Sequence, residues 1–184
     1  MRRVASFTFV TLNGCFEAPG GDISWNSHSD EENDYAKEGS QSGSILLFGR
    51  KTYELMIRYW PTPLALQQNP VVADGMNRAE KIVFSRTLQK AEWNNARIMG
   101  DDIVAQIARM KNEPGQPMTI LGSGSIVNQF AERGLIDEFQ FLINPIVIGD
   151  GTPLFKNLKR RLSLKLTKSR VFKSGALLLC YEPA

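Results

Sequence analysis

Three short segments of the sequence combine glycine with side chains that donate hydrogen bonds. Each follows a short apolar run, and the first and third lead into a stretch of helical periodicity. In a parallel α/β sheet such turns meet at one edge, where glycine lets the backbone approach a ligand and helix N-termini present free N–H groups. Together they suit the binding of a phosphorylated nucleotide. The segments are Gly49-Arg50-Lys51-Thr52, Ser85-Arg86-Thr87 and Gly122-Ser123-Gly124-Ser125.

The type of nucleotide follows from what these turns contain and lack. A Rossmann fingerprint starting at Gly122 would need its third glycine at Val127, and the sequence has no Gly-Lys-Ser/Thr ending of a P-loop. The basic residues Arg50, Lys51 and Arg86, with no acidic residue closing either strand, suit an extra phosphate on the adenosine ribose. The sequence therefore predicts NADPH rather than NADH as the cofactor.

The composition argues against other kinds of site. One histidine, His28, and two distant cysteines, Cys15 and Cys180, are too few for a zinc site or a disulfide framework. We therefore expect no metal and a reducing, cytoplasmic environment. The formal charge of +3 favours neither a nucleic-acid nor a membrane partner. No apolar run reaches the length of a membrane span.

Two segments admit a second interpretation. Arg2-Arg3, the apolar residues 4–12 and Cys15 mimic a lipoprotein signal, but hydroxyl residues interrupt the apolar run, so a buried first strand ending in an Asn-Gly turn is favoured. Residues 156–173 carry eight basic residues and no acidic one. A nucleic-acid surface is one interpretation of that segment, and the charged edge of a hairpin is the one we favour.

The spacing of apolar residues predicts the elements that hold the turns. The first strand is apolar on both faces and is expected at the centre of a sheet. Ser29 can cap a helix with Glu32 reaching back to it, and Asp101 can cap another. Residues 61–79, with three prolines, indicate a loop with one helical turn. Strands are expected at residues 4–12, 44–48, 81–84, 96–99, 118–121 and 139–143, with a hairpin over 162–181, and helices at 30–38, 53–59, after Asp101 and up to Gly134.

This order of elements predicts a single α/β domain over residues 1–184. Strands alternate with helices and finish in antiparallel strands, which gives three layers, α/β/α. The sheet is expected to be mixed, with an antiparallel C-terminal hairpin and helices on both faces.

Four motifs in this order resemble the dihydrofolate reductase-like superfamily across nearly the whole chain. Within it they are most similar to stand-alone relatives of the C-terminal reductase domain of the bifunctional riboflavin-biosynthesis deaminase-reductase. The motifs are Phe48-Gly49-Arg50-Lys51-Thr52, Val83-Phe84-Ser85-Arg86, Ile120-Leu121-Gly122-Ser123-Gly124-Ser125 and Ile148-Gly149-Asp150-Gly151-Thr152-Pro153-Leu154-Phe155.

The resemblance implies an NADPH-dependent reductase with a dihydrofolate reductase-like sheet. It would transfer hydride to a C=N or C=O of a pterin-like or aminopyrimidine-like molecule, as in 5-amino-6-(5-phosphoribosylamino)uracil reduction. The resemblance also implies a homodimer. The cofactor would be held by Gly49, Arg50, Thr52, Ser85, Arg86, Gly122, Ser123, Gly124, Ser125 and Ile126, and the turn chemistry adds Lys51.

Asp30 is the candidate catalytic residue. Trp25-Asn26 and Asp30 resemble the Trp-Asn-x-x-x-Asp segment of bacterial dihydrofolate reductases, in which the carboxylate faces the pterin ring. Its role would be to favour protonation of the C=N nitrogen. Alternatively, Asp30 complements the helix dipole. Glu31 and Asp34 are alternative donors and His28 is interpreted as a loop residue, while Trp25 and Trp60 could wall the substrate pocket.

The substrate motifs depart from the riboflavin reductases. Phe7 stands where those enzymes have a lysine, and Leu121 precedes Gly122 and Ser123 where they have a glutamate before two glycines. The family's Ser-Leu-Asp-Gly turn reads Thr11-Leu12-Asn13-Gly14, and no zinc deaminase half is present. Besides a reductase, the sequence therefore allows an NADP-binding protein without efficient catalysis.

Overall fold

The computed structural model describes residues 1–26, 29–156 and 158–184. Its strands are β1 (Val4–Thr11), β2 (Cys15–Glu17), β3 (Ile45–Gly49), β4 (Lys81–Phe84), β5 (Ala96–Met99), β6 (Met118–Leu121), β7 (Glu138–Asn144), β8 (Thr152–Pro153), β9 (Leu164–Val171) and β10 (Leu177–Pro183). Its helices are α1 (Asp30–Ser40), α2 (Arg50–Ile57), α3 (Pro63–Gln68), α4 (Pro70–Arg78), α5 (Ile103–Asn112) and α6 (Gly124–Glu132).

Eight of the described strands form a mixed sheet in the order β5-β4-β3-β6-β1-β7-β10-β9. The strands from β5 to β7 run parallel, and β10 and β9 return antiparallel. β1 pairs with β6 on one side and β7 on the other, which confirms its predicted central place. The predicted C-terminal hairpin is confirmed as well. The short strands β2 and β8 pair with each other beside the main sheet.

Helices cover both faces of the sheet because the strands carry apolar residues on both. On one face Ile107 of α5 and Phe130 of α6 are fully buried against residues such as Ile120. The other face has a core formed with α2 and α4, while Tyr35 of α1 packs towards the C-terminal hairpin. The predicted three-layer α/β/α architecture is confirmed. No helix among the described residues is both long enough and apolar enough to cross a membrane.

The prediction of a loop over residues 61–79 was wrong, because this segment forms α3 and α4. Pro63 and Pro70 occupy the first positions of these helices, where the missing N–H costs no hydrogen bond and the fixed φ favours the helix. Thr62 caps α3 by accepting the N–H of Ala65 over 3.2 Å. Pro63 and Pro70 therefore begin helices, although prolines in this segment were interpreted as a sign of a loop.

Several helix ends differ from the predictions, including the end of α2 at Ile57 rather than at residue 59. α2 begins at Arg50 rather than at residue 53, so the basic residues after Gly49 lie in its first turn. Asp102, rather than Asp101, caps α5, since its Oδ1 accepts the N–H of Ala105 over 3.4 Å. α1 continues through Gly39 to its last residue, Ser40.

Candidate functional site

The turns after β3 and β6 lie against each other at the carboxyl edge of the sheet. The N–H of Gly49 donates to Ser123 Oγ over 2.8 Å, and the N–H of Gly122 donates to the carbonyl of Phe7 in β1 over 3.0 Å. Gly122 and Ser123 both have a φ of 56°, a left-handed conformation that turns the chain sharply out of β6. A Cβ on Gly122 would lie 3.5 Å from Thr52 Cγ2. Residues of two predicted turns are thus in contact.

Two helices start at this edge. α2 begins at Arg50 and α6 at Gly124, and the first N–H groups of a helix have no acceptor within it. The two N-termini therefore present donors and partial positive charge side by side. Gly124 has no room for a side chain, because a Cβ there would lie 2.6 Å from Phe16 Cε1. Ile126 lies close enough that a Cβ on Gly49 would be 3.4 Å from its Cγ1.

The polar side chains of these first turns are exposed. Arg50 donates to Glu54 Oε1 through Nη1 over 2.9 Å, one helical turn along α2. Lys51 and Ser125 are exposed, and Lys51 also lines a large groove beside these turns. Because these side chains lie outside the core, they can contact a ligand at this edge of the sheet.

A cavity of about 620 Å³ opens where β4 and β5 end. Ser85, Arg86 and Ile126 contribute to its wall. Ser85 Oγ accepts the N–H groups of Thr87 and Leu88 over 3.2 and 2.9 Å, which holds the turn after β4. Ser123 borders the groove and Ile126 borders the cavity, so the turn from β6 into α6 adjoins both spaces.

Acidic groups at this cavity were missed by the sequence analysis. Arg86 Nε lies 3.7 Å from Asp101 Oδ1, and Asp102 and Arg133 also belong to this end of the sheet. The signal was present, because β5 was predicted to end just before Gly100-Asp101-Asp102 and parallel neighbours end at one edge. The site is therefore mixed in charge.

The turn residues Thr52, Gly122 and Ser123 also border a groove lined by residues of β1, β6, β7, α1 and α2. This groove is part of a larger space of about 1850 Å³ that extends to α4 and to Arg97 in β5. Aromatic rings form part of its wall. The ring centroids of Phe7 and Phe9 lie 5.0 Å apart, and those of Phe7 and Tyr35 lie 5.9 Å apart. This wall can pack against a flat, apolar face of a ligand.

Tyr35 links α1 to the groove floor. Its hydroxyl donates to Gln140 Oε1 over 3.1 Å, and Gln140 Nε2 donates to Glu138 Oε1 over 2.7 Å. Burial, together with the nearby Cys180 and Glu138, raises the pKa of Tyr35, so the phenol stays protonated. Neither Tyr35 nor Gln140 was singled out from the sequence, since only the pairing of β1 with β7 places Gln140 beside Phe7.

The two predicted tryptophans both line the groove. Trp60 stacks edge-on against Tyr59 with ring centroids 5.0 Å apart, and its Nε1 faces Met56 Sδ at 3.1 Å. Trp25 is half-buried. Its Nε1, like Thr8 Oγ1 in the same wall, is buried without a hydrogen-bond partner among the described residues.

The carboxylates of α1 are arranged differently from the expectation. Asp30 is exposed at the first turn and is absent from the described lining of the groove. Glu32 lines it instead and is 3% exposed. Its Oε2 accepts from the N–H and hydroxyl of Ser29, and its Oε1 accepts from the Ser174 hydroxyl.

The surroundings of Glu32 keep it charged. Burial raises the pKa of the Glu32 carboxyl, but the hydrogen bonds from Ser174 and Ser29 hold that pKa below its ordinary value. Its oxygens are engaged by these neighbours, so Glu32 is a structural anion in the groove wall. The exposed Asp30 and Asp34 and the half-buried Glu31 stay the candidates for proton delivery.

His28 lies outside the described residues. Within residues 1–26, 29–156 and 158–184, no group of three or more His, Cys, Asp or Glu side chains could hold a metal ion.

The architecture is the dihydrofolate reductase-like fold. Dihydrofolate reductase from Enterococcus faecalis, solved as a complex with NADP(H) and RAB-propyl, matches 98% of this chain and 96% of its own with a TM-score of 0.64 and 15% identity. The diaminohydroxyphosphoribosylaminopyrimidine deaminase/5-amino-6-(5-phosphoribosylamino)uracil reductase from Thermotoga maritima has a TM-score of 0.69 at 16% identity. The match covers all of this chain and 57% of the Thermotoga chain.

The chain belongs to the family of RibD C-terminal domains, whose model matches residues 2–178. Two proteins of Bacillus subtilis (strain 168) are similar along most of their length. The uncharacterized protein YyaP is 32% identical over 98% of this chain and 95% of its own. The uncharacterized protein YwjB is 27% identical over 93% and 92%. Family and fold support a reductase of the dihydrofolate reductase-like type.

Proposed function

We propose that this protein is an NADPH-dependent reductase that transfers hydride to a C=N or C=O of a pterin-like or aminopyrimidine-like molecule. The observation that carries the proposal is the contact between Gly49 and Ser123. It joins two helix-starting turns into one ridge between the cavity beside Arg86 and the aromatic groove. An extended dinucleotide can cross such a ridge and reach both spaces.

The residues on the ridge fit a dinucleotide phosphate. The N-termini of α2 and α6 offer N–H groups that have no acceptor within their helices, and Gly49 and Gly122 place no side chain over the turns. Ser85 and Arg86 then provide a hydroxyl and a guanidinium for a phosphate on the adenosine ribose. The enterococcal dihydrofolate reductase of similar fold was solved with NADP(H) bound, which supports this assignment. Arg50 and Lys51 add positive charge.

The groove residues suit the substrate side. NADPH, when bound, supplies the hydride, while a proton reaches the acceptor nitrogen or oxygen from the protein or from water. Phe7 and Tyr35 offer aromatic faces for a flat ring. Phe7 in place of the lysine of the riboflavin reductases removes a cation, which favours a ring without a phosphate at that point.

The cofactor is tested by titrating the protein with NADPH and, separately, with NADH, following tryptophan fluorescence and the melting temperature. We expect saturable NADPH binding at least about tenfold tighter than NADH binding, a difference of about 1.4 kcal/mol. Arg86→Gln should reduce this preference, while Arg97→Gln, a change on an exposed ion pair in β5, serves as the control. Absent or equal binding of the two nucleotides would contradict the proposal.

Asp30, which is exposed and lies two residues before the groove residue Glu32, is proposed to deliver the proton through water. Asp30→Asn should leave the NADPH dissociation constant within about twofold and lower turnover by about a hundredfold, the usual contribution of a general acid. The measurement is steady-state turnover with a substrate found by screening pterins, folates and pyrimidines. Unchanged turnover would remove Asp30 from the mechanism, and Glu31→Gln and Asp34→Asn would then be compared.

A second candidate is a protein that binds NADPH without efficient catalysis. It is favoured by the exposed position of Asp30 and by Phe7 and Leu121 at positions where the riboflavin reductases have charged residues. In that case NADPH binds with the predicted preference, yet no compound in the screen causes its oxidation. The same two measurements therefore separate the candidates.

A further inference from the structure

Two acidic residues follow the strand beside the Arg86 turn. β5 pairs in parallel with β4, with Met99 opposite Phe84, so both strands end at the same edge of the sheet. The N–H of Ser85 donates to the Met99 carbonyl over 3.2 Å, which keeps the ends of the two strands in contact. Gly100 is tight against this turn, because a Cβ there would lie 3.2 Å from the Ser85 carbonyl oxygen. Asp101 and Asp102 come next.

The two carboxylates have different tasks. Asp102 caps α5 by accepting the N–H of Ala105. The Asp101 carboxylate is not used in this way, and its side chain is 93% exposed. Among the described residues, Arg86 is the cation within salt-bridge distance of Asp101, with Nε and Oδ1 3.7 Å apart.

We propose that Asp101 is a specificity-determining residue that competes with a ribose 2′-phosphate for Arg86. This inference rests on the proposed NADPH site and adds a group that acts against it. A nucleotide with a 2′-phosphate must displace Asp101 from Arg86 and bring negative charge beside that carboxylate. A nucleotide with a free 2′-hydroxyl meets no such opposition, because a carboxylate accepts a hydrogen bond from a hydroxyl.

The expected effect is modest because both side chains are exposed. Arg86 is 80% and Asp101 93% exposed, and exposed ion pairs couple weakly. Removing the charge of Asp101 should therefore strengthen binding of a 2′-phosphorylated nucleotide by about threefold at low salt. The gain should shrink in about 0.5 M salt, since screening is strong over this distance.

The test measures binding alone. Adenosine 2′,5′-bisphosphate and ADP are titrated by calorimetry into the wild type, Asp101→Asn, Arg86→Gln and the double variant, at low salt. Asp74→Asn is the matched control, because Asp74 forms a similar exposed ion pair with Arg78 on α4, away from this cavity. Melting temperatures within a few degrees of the wild type confirm that the variants are folded.

We expect Asp101→Asn to bind the bisphosphate about threefold tighter without a gain for ADP, and Asp74→Asn to change neither. The gain should vanish when Arg86 is also replaced. The proposal is overturned if Asp101→Asn does not bind the bisphosphate more tightly, if it binds both nucleotides more tightly to the same extent, or if the double variant keeps the full increase in affinity. In each of these cases, binding of the bisphosphate by the wild type would still support the cofactor site. If the wild type and Asp101→Asn bind neither nucleotide, both the cofactor site and the role of Asp101 are wrong.

Discussion

Lys81 shows how a single residue can hold a charge inside this protein. Its side chain is fully buried, and its Nζ donates to the carbonyls of Ala79, Asn94 and Asn77 over 2.7, 3.0 and 3.2 Å. The ammonium also lies 4.5 Å from the ring centroid of Trp93. No carboxylate of the described residues lies within salt-bridge distance of it. Carbonyl dipoles thus replace a counter-ion.

Lys81→Met should destabilise the fold. The substitution keeps an apolar stem but leaves three carbonyls without their donor, a loss of about 1–3 kcal/mol of unfolding free energy. Urea unfolding at pH 7 measures it. Lys90→Met, a change at an exposed lysine, should cost little and serves as the control. Equal stability of the two variants would contradict this account.

The same substitution should remove a pH dependence. Burial lowers the pKa of Lys81 to about 8 in the folded protein, against 10.5 for a free lysine. Between these values the unfolded chain binds more protons, so the contribution of Lys81 makes unfolding free energy rise with pH. As the pH rises from 7.5 to 9.5, the unfolding free energy of the wild type should therefore increase relative to that of Lys81→Met. Parallel curves would show that the ammonium does not titrate in this range.

At the scale of elements, the strands were predictable and some of the helices were not. Apolar runs with turn residues behind them identify β3, β4 and β6, because burial on both faces leaves few polar positions in a strand. The prolines at 63 and 70 gave a misleading signal, since a proline starts a helix as readily as it ends one.

The same contrast applies to the candidate site. The ridge was predictable because its glycines and donors are contiguous in sequence and follow strands. The bond between Glu32 and Ser29 was also predicted. The roles of Tyr35 and Gln140 and the contact of Glu32 with Ser174 were not, because they depend on which strand and turn pack against α1. Asp101 was missed for a related reason, since its partner Arg86 belongs to a neighbouring strand exit.

The contact between α1 and α4 depends on a missing side chain. A Cβ on Gly75 would lie 2.6 Å from the carbonyl oxygen of Ser40, the last residue of α1. Gly75→Ala should therefore push the helices apart and lower unfolding free energy by about 1–3 kcal/mol. Gly39→Ala, with nothing within 4 Å of its added Cβ, should instead raise it by about 0.5–1 kcal/mol. Urea unfolding distinguishes the two, and losses of equal size would refute the close-contact explanation.

At the scale of the whole molecule, α1 and the C-terminal hairpin are joined through carboxylates. Glu32 accepts the Ser174 hydroxyl, and Glu31 Oε2 accepts the N–H of Lys173 over 3.0 Å. These residues are 142 positions apart in each case. The helix that borders the groove is therefore positioned by the turn between β9 and β10.

Glu32→Gln should weaken this junction. A neutral amide cannot serve as the charged acceptor for Ser29 and Ser174, so we expect a loss of about 1–3 kcal/mol at pH 7. Because the pKa of Glu32 is lowered in the folded protein, its contribution is present above the unfolded pKa of 4.5 and is lost as pH falls through the folded value. The gap between variant and wild type should narrow in acid, as urea unfolding at pH 7 and 3.5 would measure. Glu31→Gln, at a more exposed carboxylate, should cost less.

The central place of β1 has a consequence for synthesis on the ribosome. Val4 pairs with Met118 and Ala5 with Glu138, so the neighbours of β1 are translated 114 and 133 positions after it. At roughly 5–20 residues per second, this apolar strand waits on the order of ten seconds for a partner. During that interval its backbone and its apolar side chains are unpaired. β1 is therefore the segment that a nascent-chain chaperone would have to shield, and slowing translation between β1 and β7 should lower the soluble yield.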